Sequence, residues 1–154
     1  MARSIALRRL TGAPQTRNQL AETLRRRGVP DDAAAAVLDR LEDVGLVDDS
    51  AFARAWVESR HAGRGLARRA LAHELRHRGV PAELVDDALH QLAPEQERGT
   101  ARALVEARLP GTRRLEPLAR RRRLMGLLAR KGYPAGLAAS VVREALATES
   151  GAGD

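Results

Sequence analysis

Apolar and polar positions follow a helical period along this chain, and the period breaks at matching places. In residues 16–30, Leu20 and Leu24 stand one turn apart on one face, with polar residues around them. Gly28 and Pro30 interrupt the pattern, and apolar positions resume at Val37 and Leu38. The same signal returns with Leu71, Leu75, Gly79, Pro81 and Ala88–Leu89, and again with Leu124, Leu128, Gly132, Pro134 and Val141–Val142. "LRRRGVP" (24–30), "LRHRGVP" (75–81) and "LARKGYP" (128–134) are thus copies of one corner. Upstream, "ARSIALRRL" (2–10) aligns with "ARAWVESRH" (53–61), and "ARAWVESR" (53–60) with "ARALVEAR" (101–108). Units begin near Ala2, Ala53 and Ala101, and the third carries a longer loop around "LPGTRRLEP" (109–117). A period of this length marks an array in which neighbouring units share an apolar seam.

Each unit reads as three helices. Thr16 followed by Gln19 fits a capping box at the start of a second helix. Gly28 suits the left-handed residue that ends it, and Pro30 the first turn of the next. The heptapeptide is therefore the corner between the second and third helices. Its basic residues lie at a helix C-terminus, where the dipole favours them. A further break at Gly45 precedes Asp48, a cap for the next helix, with Val47 and Phe52 spaced as a hydrophobic staple. Phe52 and Trp56 are four apart on one helix face, which favours packing over a platform for stacked bases. The expectation is an all-α fold: three tandem three-helix repeats over 2–47, 48–98 and 99–147, forming an elongated, curved array. The closing "ATESGAGD" is expected to be disordered, with the tail at 148–154.

Composition agrees with helices. Hydrophobic residues make up 44% of the 154, nearly all Ala, Leu and Val, and aromatics only 2%. Such a core is thin, which favours small bundles. The absence of cysteine rules out disulfides and thiolate metal sites. The apolar stretches are short and broken by arginine, so a soluble, cytoplasmic monomer is expected, with no membrane contact and no cofactor.

The net charge of +7 is uneven: residues 1–52 hold 8 basic and 8 acidic side chains, 53–100 hold 8 and 7, and 101–154 hold 11 and 5. A positive last third suits a polyanion or an acidic protein surface. Arginine provides 26 of the 27 basic residues, a bias that a GC-rich coding sequence also produces, so part of it is ordinary solvated surface.

Two motifs suggest other chemistry. "HELRH" (73–77) satisfies the H-E-x-x-H zinc pattern, with Glu74 as general base. In the repeat register, however, His73 falls on Glu22 and His77 on Arg26, which are solvent-facing positions. No third histidine follows, and the nearest carboxylates, Glu95 and Glu97, are expected in a loop. His61 and His90 have no convergent partners, the serines lack a nucleophile elbow, and "GRG" (63–65) reads as a turn. No catalytic or metal constellation emerges. The helix–turn–helix corner also evokes DNA reading, but "PDDAAAAVL" (30–38) and "PAELVDDAL" (81–89) carry acids that repel phosphates, and "PAGLAASVVREAL" (134–146) offers little polar reach.

The stretch "GLVDDSAFARAWVESRHAGRGLARRALAHELRHRGV" (45–80) resembles the RecX regulatory family. The resemblance rests on Gly45, Asp48, Asp49, Phe52, Ala53, Trp56, Arg60, Gly65, Glu74, Leu75 and Gly79; "LLARKGYP" (127–134) is similar to the family's third repeat. Leu66 stands where the family often has proline. The resemblance implies a non-enzymatic modulator of RecA that binds the groove of the RecA–DNA filament and suppresses its ATPase, strand exchange and coprotease activities. It assigns Gly45, Asp48, Asp49, Phe52, Trp56, Arg60, Gly65, Leu75 and Gly79 to structure. The basic side chains suited to filament or DNA contact are Arg25, Arg26, Arg68, Arg69, Arg76, Arg120, Arg121, Arg122, Arg123, Arg130 and Lys131. Single- and double-stranded DNA are candidate partners besides the filament. A nonspecific DNA-binding repeat protein and a scaffold for an unrelated acidic protein are the other readings.

Overall fold

The computed structural model describes residues 1–152, which form nine α-helices and no strand. The first repeat holds α1 (Ala2–Gly12), α2 (Arg17–Arg26) and α3 (Asp31–Asp43). The second holds α4 (Asp49–Arg64), α5 (Arg68–His77) and α6 (Ala82–Leu89). The third holds α7 (Pro94–Thr112), α8 (Pro117–Arg130) and α9 (Ala135–Ala152).

The corner is built the same way three times. Gly28, Gly79 and Gly132 have φ of 82°, 78° and 94°. The next amide reaches back to a buried leucine carbonyl: Val29 to Leu24 at 2.9 Å, Val80 to Leu75 at 3.1 Å and Tyr133 to Leu128 at 3.1 Å. Each glycine amide bonds the carbonyl three residues back. Both bonds together make the Schellman closure. Pro30, Pro81 and Pro134 each stand one residue before the following helix rather than inside it. The capping box at Thr16 is present: Gln19 N–H donates to Thr16 Oγ1 at 3.1 Å, and Thr16 N–H to Gln19 Oε1 at 3.0 Å. Asp48 caps α4 by accepting from Ala51 N–H at 3.0 Å.

Several boundaries differ from the sequence expectation. The line drawn between 98 and 99 falls inside α7, which starts at Pro94. Pro94 is pre-set for a first helical turn, and Glu95 and Glu97 favour the positive helix end. Those two acids are therefore helical, not in a loop. The loop expected around 109–117 shrinks to 113–116, because α7 continues through Pro110 to Thr112. Its last turn tightens, with Arg113 N–H donating to the Pro110 carbonyl at 3.5 Å, and Thr112 Oγ1 donates to the Leu109 carbonyl at 2.9 Å. Residues 148–152 are helical where a disordered tail is expected. Thr148 Oγ1 accepts from Arg102, and Glu149 accepts from Arg113 and Arg120, so side chains of α7 and α8 hold the end of α9. Residues 153 and 154 lie outside the described residues.

The chain forms two compact units: residues 1–57 with 72–89, and 58–71 with 90–154. The middle repeat contributes to both. In the first unit, Ala6, Leu20, Leu24, Ala34, Leu38, Leu41 and Val47 form the core under α1–α3. In the second, Ala67 joins Ala101, Val105, Leu124, Leu128, Tyr133 and Val141. Each fully buried leucine is worth about 1.5–3 kcal/mol. Ala67 shows how one repeat feeds the next one's core. It is buried, and its N–H donates to the Lys131 carbonyl at 2.8 Å. One repeat earlier, Thr16 sits at the matching place, and its hydroxyl donates to the Arg78 carbonyl at 2.7 Å. The starts of α2 and α5 therefore plug the corner of the following repeat.

Candidate functional site

The basic residues divide by what holds them. Three are drawn inward. Arg120 donates to Thr112 Oγ1 at 2.8 Å and to the Leu109 carbonyl at 3.2 Å, and pairs with Glu149 at 2.7 Å. Arg68 pairs with Glu97 at 3.4 Å and donates to the Leu92 carbonyl. Lys131 Nζ donates to the Arg64 carbonyl at 2.9 Å, closing the end of α4. Arg25 is exposed but paired, with Glu22 at 2.6 Å and Asp31 at 3.4 Å. By contrast, Arg26, Arg69, Arg76, Arg121, Arg122, Arg123 and Arg130 are exposed and make no ion pair among the described residues.

Two clefts collect such arginines. One, of about 360 Å³, is lined by Arg108 of α7, by Arg123, Leu124, Leu127 and Arg130 of α8, and by Gly111 and Thr112. The other, of about 260 Å³, is lined by Ile5, Arg8, Arg9, Thr23, Arg26 and Arg27 of the first repeat, and a cleft of about 280 Å³ beside it shares Arg9, Thr23 and Arg26 and adds Glu22 and His77. Arg8, Arg9, Arg27 and Arg108 are not among the contact residues expected from the sequence. Only the packing of first helix on second helix turns them toward Arg26 and Arg130. The repeat register holds the one available signal, since Arg9 aligns with Arg108.

Several residues of the family pattern make contacts within the fold. Asp49 accepts from Arg17 N–H at 2.9 Å; its burial outweighs that bond and raises its carboxyl above the usual aspartate value. Phe52 and Trp56 stack at 5.7 Å between centroids. Trp56 Nε1 donates to Glu74 Oε1 at 2.9 Å, and the Arg78 guanidinium lies 3.9 Å over the indole ring. Leu75 is fully buried. Gly65 accepts at its carbonyl from the Tyr133 hydroxyl at 2.8 Å, and burial pushes that phenol well above its ordinary value. Arg60 is half-buried on α4, Gly45 ends the α3 corner, and Gly79 ends α5.

The zinc motif does not assemble. His73 and His77 are exposed, Glu74 is engaged with Trp56, and no group of three metal-ligating side chains converges among the described residues. His61 is buried between two partners. Its Nδ1 donates to the Leu66 carbonyl at 2.7 Å, and its Nε2 meets the Thr100 hydroxyl at 2.8 Å. Among the described residues no helix is long and apolar enough to cross a membrane.

Three tandem three-helix repeats, each closed by a glycine corner and carrying exposed arginines that make no ion pair among the described residues, define a helical-repeat protein with a basic surface. Comparison with known proteins gives the family. Residues 2–41 match the first three-helix domain of RecX, 48–89 the second and 95–142 the third. The chain belongs to the RecX family. It is 62% identical over 148 residues to the regulatory protein RecX of Streptomyces coelicolor, covering 96% of this chain and 79% of that one. It is 60% identical to that of Thermobifida fusca over 96% of this chain and 80% of the relative. The crystal structure of RecX from Lactobacillus salivarius shares the fold with a TM-score of 0.87 at 17% identity, over 94% of each chain.

Proposed function

We propose that this protein is a non-enzymatic regulator of RecA that binds along the groove of the RecA–DNA filament, inhibits or disassembles it, and so lowers its ATPase, strand exchange and SOS coprotease activity in the cytoplasm. The observation that carries this reading is the collinear match of all three domains to a family whose curated relatives are regulatory proteins. The charge distribution supports it, because residues 101–154 hold 11 basic and 5 acidic side chains. Arg121, Arg122, Arg123 and Arg130 stand outward there, free to meet phosphates or acidic loops of the partner. Arg69 and Arg76 add to that surface from the second repeat. Arg68, Arg120 and Lys131 act instead as internal ties that hold the surface in shape.

The test is RecA's single-stranded-DNA-dependent ATP hydrolysis with this protein titrated in. Suppression well below one molecule per RecA indicates capping or disassembly, and suppression only near equal amounts indicates groove coating. No effect from folded protein overturns the proposal and leaves a nonspecific DNA-binding repeat protein as the alternative. Reversal of Arg121, Arg122 and Arg130 to Glu should weaken filament binding more than reversal of Arg25 and Arg26, and equal losses would overturn that ranking.

A further inference from the structure

The two arginine clefts occupy the same place in their repeats. Each opens between the first and second helix. In the register that superposes Ala2 on Ala101 and Leu24 on Leu128, Arg9 falls on Arg108, Arg26 on Arg130 and Thr23 on Leu127. No carboxylate lines either cleft; Glu22, which lines the adjoining cleft that shares Arg9 and Arg26, is paired with Arg25. Arg9, Arg26, Arg108, Arg123 and Arg130 make no ion pair among the described residues, although nearby Arg17, Arg25, Arg102 and Arg113 all do. Like charges gathered in a cleft without a counter-charge are a standing cost, and an anion there removes it.

The middle repeat shows what fits. Its register equivalents of Ile5 and Thr23 are Trp56 and Glu74. There the chain places a carboxylate of its own: Glu74 accepts from Trp56, and Arg78 stacks on the same ring. The outer repeats have Thr23 and Leu127 at the Glu74 position and no internal anion.

We propose that each outer cleft is by itself a site for a nucleic-acid backbone phosphate, with Arg9 and Arg26 as ligands in the first repeat and Arg108 and Arg130 in the third. Each cleft offers at least two guanidinium forks, which suit phosphate oxygens. The third-repeat cleft presents no aromatic ring or side-chain amide to a base, so binding there is independent of sequence; beside the first-repeat cleft, Gln15, Asn18 and Gln19 line an adjoining cleft that shares Arg9 and Arg26. The inference deepens, and rests on, the DNA-contacting part of the proposed function.

The experiment uses the full chain without RecA. Binding to a fluorescein-labelled oligothymidine is followed by anisotropy across a salt series. The variants are Arg9→Ala with Arg26→Ala, Arg108→Ala with Arg130→Ala, and a control of equal charge loss, Arg40→Ala with Arg143→Ala. Far-UV circular dichroism confirms that each is folded. Each cleft variant should bind about tenfold more weakly and flatten the salt slope by about 1.4, two single-strand contacts at about 0.7 each. The control should change affinity less than about twofold. Equal losses in cleft and control variants, unchanged binding in the cleft variants, or no binding by the parent protein at low salt each overturn the proposal. So does a labelled polyglutamate that outcompetes the oligonucleotide at the same arginines, which would assign the clefts to an acidic protein. A protein that binds oligothymidine through the clefts yet leaves RecA's ATPase unchanged keeps this inference and loses the regulatory reading. The reverse result loses only the clefts.

Discussion

The corner of the first repeat and the corner of the third have nearly the same seven residues and the same backbone, but different surroundings. A Cβ placed on Gly28 would meet nothing within 4 Å. A Cβ on Gly132 would lie 2.6 Å from the Ala70 amide nitrogen and 2.8 Å from its Cβ. The difference follows from position in the array. Gly132 receives the beginning of the preceding repeat's second helix, α5, and the Lys131 carbonyl beside it accepts from Ala67. Gly79 receives α2 in the same manner, with Asn18 2.3 Å from a virtual Cβ and Thr16 bonded to the Arg78 carbonyl. Gly28 belongs to the repeat with no predecessor among the described residues. One motif thus carries two constraints: a left-handed turn in every copy, and close approach of a neighbouring helix in the second and third.

This comparison is sharpest at Gly132→Ala. The substitution combines left-handed strain with backbone overlap, and should cost about 3 kcal/mol or more in chemical denaturation. Gly79→Ala should cost as much, about 3 kcal/mol, since Asn18 Cβ, fixed to the α2 backbone, would lie 2.3 Å from the added carbon. Thr16→Val keeps the shape of a fully buried residue but removes the hydroxyl between Gln19 N–H and the Arg78 carbonyl. A loss of about 2 kcal/mol is expected in the same assay. Gly28→Ala meets only the conformational term, about 1 kcal/mol. A Gly28→Ala loss as large as that of Gly132→Ala would show that seam contact contributes nothing and would break the comparison.

The smallest effect concerns the end of α9, which has no counterpart in the first repeat. Hydrogen bonding from Arg120, with help from Arg113, holds the Glu149 carboxyl below its ordinary value of 4.5. A depressed carboxylate contributes stability above its unfolded value and loses it as pH falls through the folded one. The melting temperature of the parent should therefore exceed that of Glu149→Gln at neutral pH, and the gap should close as the medium is acidified below about pH 4.5. A gap that persists in acid would mean that the clasp is packing rather than charge.

Much of the local structure is legible in the residues. The glycine corners, the Thr16 capping box and the Asp48 cap depend on contacts within a few positions, so sequence spacing suffices to find them. The exposure of His73 and His77 follows from the repeat register. Helix ends held by distant side chains are not legible in this way. The α9 extension depends on Arg102, Arg113 and Arg120, all more than 25 residues away along the chain. The binding surface was only partly legible: counting arginines picks out "RRRR" at 120–123, but not that Arg120 turns inward while Arg108 turns toward Arg130.

The sequence by itself determined three helical repeats, their corners and the family, because these rest on near-neighbour chemistry copied three times. Tertiary structure alone decided which arginines become ties and which remain free, and which corner glycines are sterically indispensable. Those outcomes depend on what the neighbouring helix brings within about 4 Å, a distance that no local pattern encodes.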